Sequence, residues 1–286
     1  MELLSPASFL ITLRETMEAA LIVGILLAYL EKTGNIKLKR DVWLGTFAAV
    51  IASVLAAWLF ETFTQGFEGD TEKLFEGTVM LLAVLILTSM ILWMFRNAKD
   101  IRRDLEEKTQ AALTGTKKYA LFSLAFVSVF REGIETILFL AGVTTNEPRS
   151  AVLFSGAIGI IVSVGLAVAA FRGTIELNLR QFFNLTSVVL ALFAAGLFSH
   201  GIHEFQELGW FGAETAAWNE PLWNTSGILS DNDDGLGALL RALLGYQDKP
   251  SLLELVTYLG YWMVIAMVFL GINREQAVPP RPILSS

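Results

Sequence analysis

The chain has 286 residues, 54% hydrophobic and 17% charged, with a mean hydropathy of +0.56, which is too apolar for a soluble protein of this length and marks an integral membrane protein. Its 28 acidic against 21 basic residues give a net charge of -7, which excludes the basic surface that a nucleic-acid partner requires. Cysteine is absent, so there are no disulfides or thiolate ligands, and any metal must be held by oxygen or imidazole.

The N-terminal Met1-Glu2-Leu3-Leu4-Ser5-Pro6 carries no basic leader, and the apolar run behind it is longer than a signal-peptide core and contains Glu15 and Glu18. It is expected to be retained as the first span. Apolar stretches near 20 residues follow along the chain, at about 7 to 30, 42 to 63, 74 to 95, 119 to 143, 151 to 171, 182 to 203 and 252 to 272. They are continuous runs, whereas barrel strands alternate over about ten residues, so an all-α protein with seven transmembrane helices is predicted.

The connections divide by charge. Segments 31 to 40, 96 to 118, 172 to 181 and the tail hold 15 of the 21 basic residues, whereas 64 to 73, 144 to 150 and 204 to 251 hold Lys73, Arg149, Arg241 and Lys249. The positive-inside rule then predicts an N-terminus outside and a C-terminus inside. The two basic residues left over, Arg14 and Arg131, lie within apolar stretches.

Each opens the same phrase. Arg14-Glu15-Thr16-Met17-Glu18 and Arg131-Glu132-Gly133-Ile134-Glu135 are 117 residues apart and sit in the first and fourth spans. An isolated charge at the centre of a membrane helix costs about 3 kcal/mol or more, so six charges there call for pairing and for a function. Positions i, i+3 and i+4 share a helix face, so within each motif the two glutamates point together and the arginine reaches the second of them. Spans 1 to 3 and 4 to 6 form two groups with an odd number of crossings. The second group therefore enters from the opposite side, which predicts an inverted repeat plus helix 7. On that plan the chain is a single transmembrane domain over 1–286: repeat one 7–95, repeat two 119–203, outer loop 204–251 and helix seven 252–272. At ~1.5 Å per residue, Glu15 and Glu132 lie about 12 and 16 Å below the outer ends of their helices, so the motifs can meet. Four carboxylates converging from two helices make a hard, oxygen-rich cage suited to hard or borderline cations. Arg14 and Arg131 act as counter-charges that make an empty cage tolerable. Four glutamates and two arginines sum to -2, and this arithmetic does not choose the valence of the ion.

Several features carry two readings each. His200 and His203, spaced i and i+3 near the outer end of span 6 with Glu204 and Glu207 beyond them, form either an ion-receiving entry site or a solvated helix end. Glu61, Glu68, Asp70, Glu72 and Glu76 make the second outer loop acidic, which either concentrates cations or serves solubility. Segment 204 to 251 has eight acidic against two basic residues. Its Asp231-Asn232-Asp233-Asp234-Gly235 looks like a calcium loop but lacks the later glutamate, since position 242 is Ala242, so an EF-hand is rejected. Residues 236 to 246 are too short to span and predict an interfacial or re-entrant helix, with Trp210, Trp218 and Trp223 as headgroup-level anchors. Gly156, Gly159 and Gly165 in span 5, and Ala52, Ser53, Ala56 and Ala57 in span 2, mark close helix packing.

The paired Arg-Glu-x-x-Glu motifs in this topology, together with Phe75-Glu76-Gly77, Ser199-His200-Gly201-Ile202-His203-Glu204 and Leu243-Leu244-Gly245-Tyr246 with Pro250-Ser251, resemble the oxidase-dependent iron transporter family, which includes the fungal high-affinity iron permease and bacterial EfeU. The resemblance covers essentially the whole chain. It implies a cell-membrane permease that imports Fe(III) supplied by an extracytoplasmic iron-oxidising or iron-delivering protein. It also implies Glu15, Glu18, Glu132 and Glu135 as the metal ligands. Iron is then the transported substrate, there is no cofactor, and the partners are the iron ion and membrane lipid. A transporter of another divalent cation such as Mn(II) is the alternative. An intramembrane carboxylate metalloenzyme is disfavoured, because di-iron sites pair Glu with Glu-x-x-His and both histidines lie outside the glutamate frames.

Overall fold

Ser5 starts the first helix: its hydroxyl accepts from the Ser8 amide at 3.1 Å and Pro6 follows at the first helical position, where a missing N–H costs nothing. A computed structural model describes residues 4–64, 66–97, 101–114, 119–144, 147–173, 178–212, 216, 218–230, 237, 240–241 and 244–277. Among them the helices are α1 (Pro6–Lys32), α2 (Lys39–Thr64, led in by a 3-10 turn at Ile36–Leu38), α3 (Asp70–Asn97), α4 (Ile101–Thr114), α5 (Ala120–Thr144), α6 (Arg149–Phe171), α7 (Leu179–Glu207) and α8 (Leu252–Ala277). The seven apolar stretches read from the sequence coincide with α1, α2, α3, α5, α6, α7 and α8. Lys99, Lys117, Lys118 and Arg281, the 231 to 236 stretch, and 238–239 and 242–243 of the helix expected at 236 to 246 lie outside the described residues; 237, 240, 241 and 244 of that segment are helical.

Among the described residues five helical segments are long and apolar enough to cross a membrane: Ile36–Thr64, Asp70–Asn97, Arg149–Phe171, Gln181–Glu207 and Leu252–Gly271. The other two, α1 and α5, have 27 and 25 residues, which at ~1.5 Å per residue is ample length, but each carries an Arg-Glu-x-x-Glu motif within it. Outward faces are apolar. On α2, Trp43, Phe47, Ile51, Val54 and Trp58 are exposed, as are Val256, Met263, Met267 and Leu270 on α8, the pattern expected where lipid is the solvent.

The motif helices are central. One apolar cluster joins Ala7 and Ile11 near the start of α1 to Phe139 and Val143 near the end of α5, together with Met80, Leu87, Val152, Leu190 and Tyr261. A second joins Leu26 and Leu30 near the end of α1 to Leu121 and Ala125 near the start of α5, with Val42 and Ala49 of α2. So α1 and α5 run antiparallel. Besides packing on each other, α1 packs on α6 and α5 packs on α2, while α3 packs on α7. Both swapped pairs rest on close approach: a side chain at Gly159 would strike Thr12 and the backbone of Phe9 and Leu13 on α1, and one at Gly133 would strike Ser53 on α2. Gly165, grouped with Gly159 in the sequence reading, faces open space.

One element was not expected. Segment 96 to 118 reads as a charged connection, yet it contains α4, which packs across α1 and α5. Leu105 and Thr109 are buried one turn apart, and Ala112 and Leu113 join the apolar cluster between the motif helices. The apolar residues of this helix are too few and too widely spaced for an apolar-run search, but one face of them suffices to dock it.

Candidate metal site

The antiparallel pairing of α1 and α5 brings the two motifs together. Glu15, Glu132 and Glu135 each turn a carboxylate oxygen to a common centre, all within 4.8 Å of one another. Glu15 and Glu132 are 1% and 2% exposed, and the Glu135 side chain is 14% exposed. Like charges at that spacing repel by about 3 kcal/mol per pair at an effective dielectric of ~20. A bound cation reverses that sign.

Glu18 stands outside this trio. It is paired to Arg14, whose Nε lies 3.3 Å from Glu18 Oε1, with Arg14 Nη1 3.9 Å from Glu15 Oε1. Glu18 remains within electrostatic range of Glu132 and Glu135. In the second motif, Arg131 Nη2 donates to Glu132 Oε1 at 2.7 Å and its Nε lies 3.2 Å from Glu135 Oε1. The two arginines occupy matched sequence positions but unlike surroundings: the Arg14 side chain is sealed at 0% exposure, and that of Arg131 is 57% exposed.

Many polar atoms here have no well-aligned hydrogen bond. Both oxygens of Glu15, Oε1 of Glu18, Oε2 of Glu132, Oε2 of Glu135 and all three guanidinium nitrogens of Arg14 are buried without one. Buried polar groups are otherwise almost always satisfied, so carboxylate oxygens left over at one place make a donor set that can take a cation.

The sequence-read entry residues lie elsewhere and are engaged. His203 Nδ1 contacts Glu254 Oε1 at 3.0 Å and its Nε2 contacts Glu207 Oε1 at 3.2 Å. Glu207 also holds Lys73 of α3 at 2.7 Å, and His200 Nδ1 lies 3.3 Å from the Gln247 amide. Glu204 projects from the same turns of α7, within electrostatic range of Glu76. No second cluster of three converging ligand atoms occurs among the described residues. Glu76 instead lines a cavity of about 320 Å³ between α2, α3, α5 and α6, with Glu61, Glu72, Phe60 and Phe75. An Arg149–Glu61 ion pair ties the start of α6 to the end of α2 beside it.

Glu254 is the residue that sequence reasoning missed. It is 3% exposed. Its Oε2 accepts from the Ser251 amide at 2.6 Å, while Ser251 Oγ accepts from the Glu254 amide at 3.2 Å. This reciprocal capping box starts α8. Ser251-Leu252-Leu253-Glu254 ahead of an apolar run was the available signal; nothing local announces the His203 contact.

The chain matches the model of the iron permease FTR1 family over residues 6–273. It belongs to that family. It is 33% identical to the ferrous iron permease EfeU of Shigella sonnei over 279 residues, covering 96% of this chain and 95% of that one. It is 31% identical to the ferrous iron permease EfeU of Yersinia pestis, covering 96% and 93%. An uncharacterized protein of Archaeoglobus fulgidus is 37% identical over 258 residues, covering 88% and 89%. No solved structure matches. Family membership and five membrane-length apolar helices make this FTR1-family chain a multi-pass protein of the cell membrane.

Proposed function

We propose that this chain is a secondary permease that imports Fe(III), binding it between Glu15, Glu132 and Glu135 and passing it toward the cytoplasm by way of Glu18, three residues further along α1. The observation that carries this reading is the buried trio with its leftover carboxylate oxygens; the family supplies iron as the ion. An all-oxygen donor set without imidazole or thiolate favours a hard cation, which supports the ferric form. The relatives named ferrous iron permeases favour Fe(II) as a second reading.

In this reading all seven long helices span the membrane, with the N-terminus outside and the C-terminus inside, and α1–α3 and α5–α7 are inverted repeats. The exchange of partners, α1 on α6 and α5 on α2 with α3 on α7 between them, supports a pseudo-two-fold axis in the membrane plane. The acidic cavity lined by Glu61, Glu72 and Glu76 lies at the outer ends of its helices and serves as an approach. An extracytoplasmic oxidising or delivering protein supplies the ion, and the 204 to 251 connection offers it an acidic surface. The protein is a transporter and not an enzyme: the imidazoles are committed to Glu254, Glu207 and Gln247, away from the trio.

Uptake of radioactive iron into proteoliposomes tests both the site and the valence. Glu15→Ala and Glu132→Ala abolish uptake at unchanged protein abundance. Chelated Fe(III) enters wild-type vesicles and outcompetes Mn(II). Uptake confined to Fe(II) under anoxia replaces the ferric reading with the ferrous one, and unimpaired uptake in either variant removes the site.

A further inference from the structure

The two motifs are identical in their charged residues, yet their arginines hold different oxygens. Arg131 spans both glutamates of its own motif, with Nη2 at 2.7 Å from Glu132 Oε1 and Nε at 3.2 Å from Glu135 Oε1. The remaining oxygen of each, Oε2, is buried and without a well-aligned partner. Arg14 makes its close contact to Glu18, at 3.3 Å, and stands off Glu15 at 3.9 Å. The glutamates that Arg131 grips are thus two members of the trio, whereas the one that Arg14 grips is the carboxylate outside it.

We infer that Arg131 is a positioning residue for the ion: its planar fork clamps Oε1 of Glu132 and Glu135 from one side and thereby presents their two Oε2 atoms, with Glu15, as a preset ligand face. The inference rests on the proposed role of the trio as the iron site. Its physical basis is that one rigid planar guanidinium, donating to Glu132 and in ion-pair contact with Glu135, fixes both carboxylates at once, which a lysine ammonium does not reproduce. Groups that hold ligands in this way set metal affinity by factors of about 10 to 100. This differs in sign from a simple counter-charge. A fixed positive charge beside a cation site weakens binding, so its removal strengthens binding; removal of a clamp does the reverse.

Arg131 is exposed on α5, as are Val127 and Ser123 one and two turns before it, whereas Arg14 is sealed on every side. A change at Arg131 therefore leaves no enclosed void, which makes it the cleaner of the two to substitute.

The test is equilibrium binding of Mn(II) and of Fe(II) under anoxia to the purified full-length protein in nanodiscs, with thermal melting as a fold control. Arg131→Lys keeps the charge and loses the fork; it is expected to weaken binding on the order of tenfold with an unchanged melting temperature. Arg131→Ala weakens binding further. Wild-type affinity in Arg131→Lys, or tighter binding in Arg131→Ala, overturns the inference in favour of a counter-charge alone. Glu15→Ala and Glu132→Ala are measured beside them: if those bind like wild type, it is the site assignment that fails and not the clamp.

Discussion

Two buried acidic sites, one at Glu254 and one at Glu15, Glu132 and Glu135, differ in what surrounds them. Around Glu254 nearly every polar atom has a protein partner: the Ser251 amide, the Gln247 amide at 3.0 Å and the His203 ring all meet its carboxylate. Around Glu15, Glu132 and Glu135 three carboxylates face one another and several of their oxygens have no well-aligned hydrogen bond. The first arrangement holds elements together, joining α7 and the preceding loop to the start of α8. The second is opposed by repulsion and desolvation, a cost that a bound ion offsets in the proposed reading. Burial of acid alone therefore does not separate the two sites; the satisfaction of the buried oxygens does.

Substitutions at the two clusters separate these roles, the largest effect coming first. Glu15→Gln removes one of the mutually repelling charges while keeping the shape. It is expected to abolish iron uptake while the melting temperature in detergent holds or rises, the trade-off seen where a site is built at the expense of the fold. A parallel fall in melting temperature and uptake breaks the contrast. Glu254→Ala is expected to do the opposite. Loss of the capping box and of the carboxylate facing His203 and Gln247 costs about 2–4 kcal/mol of stability, read as a lower melting temperature, with ion affinity of the folded fraction unchanged. Glu18→Gln sharpens the boundary of the trio: equilibrium binding is expected to fall less than in Glu15→Gln and the transport rate to fall clearly, since the proposed reading places Glu18 on the ion's onward path. Lys73→Ala breaks a half-exposed ion pair with Glu207, and pairs of that kind contribute little; neither melting temperature nor binding should move.

One side of this contrast, the charged motifs in apolar helices, was legible in the chain itself. Seven apolar stretches announce the seven long helices because hydrocarbon-facing segments need continuous apolar runs. The repeated Arg-Glu-x-x-Glu stands out because charge is rare in such runs. Less visible were features that depend on partners far along the chain. α4 carries a docking face of only a few residues, which no apolar-run criterion detects. Glu254 shows its capping role in Ser251-x-x-Glu254, but its contact with His203 joins positions 51 residues apart. His200, His203 and Glu207, read as candidates for an entry site, turned out to be tied to Gln247, Glu254 and Lys73.

The amino-acid sequence by itself determined that charge is embedded in apolar helices, that it is embedded twice, and that glutamates share a face within each motif, since these follow from composition and helical periodicity alone. It could not distinguish Arg14 from Arg131 or Glu18 from Glu15, because the motifs match at every charged position. Only the tertiary structure decided that. Crossing the two helices seals one arginine and leaves the other half-exposed, and it gathers three carboxylates while a fourth stays with its own arginine. Which oxygens are left without a partner depends on how neighbouring helices pack around each motif, and that information is spread over the whole fold.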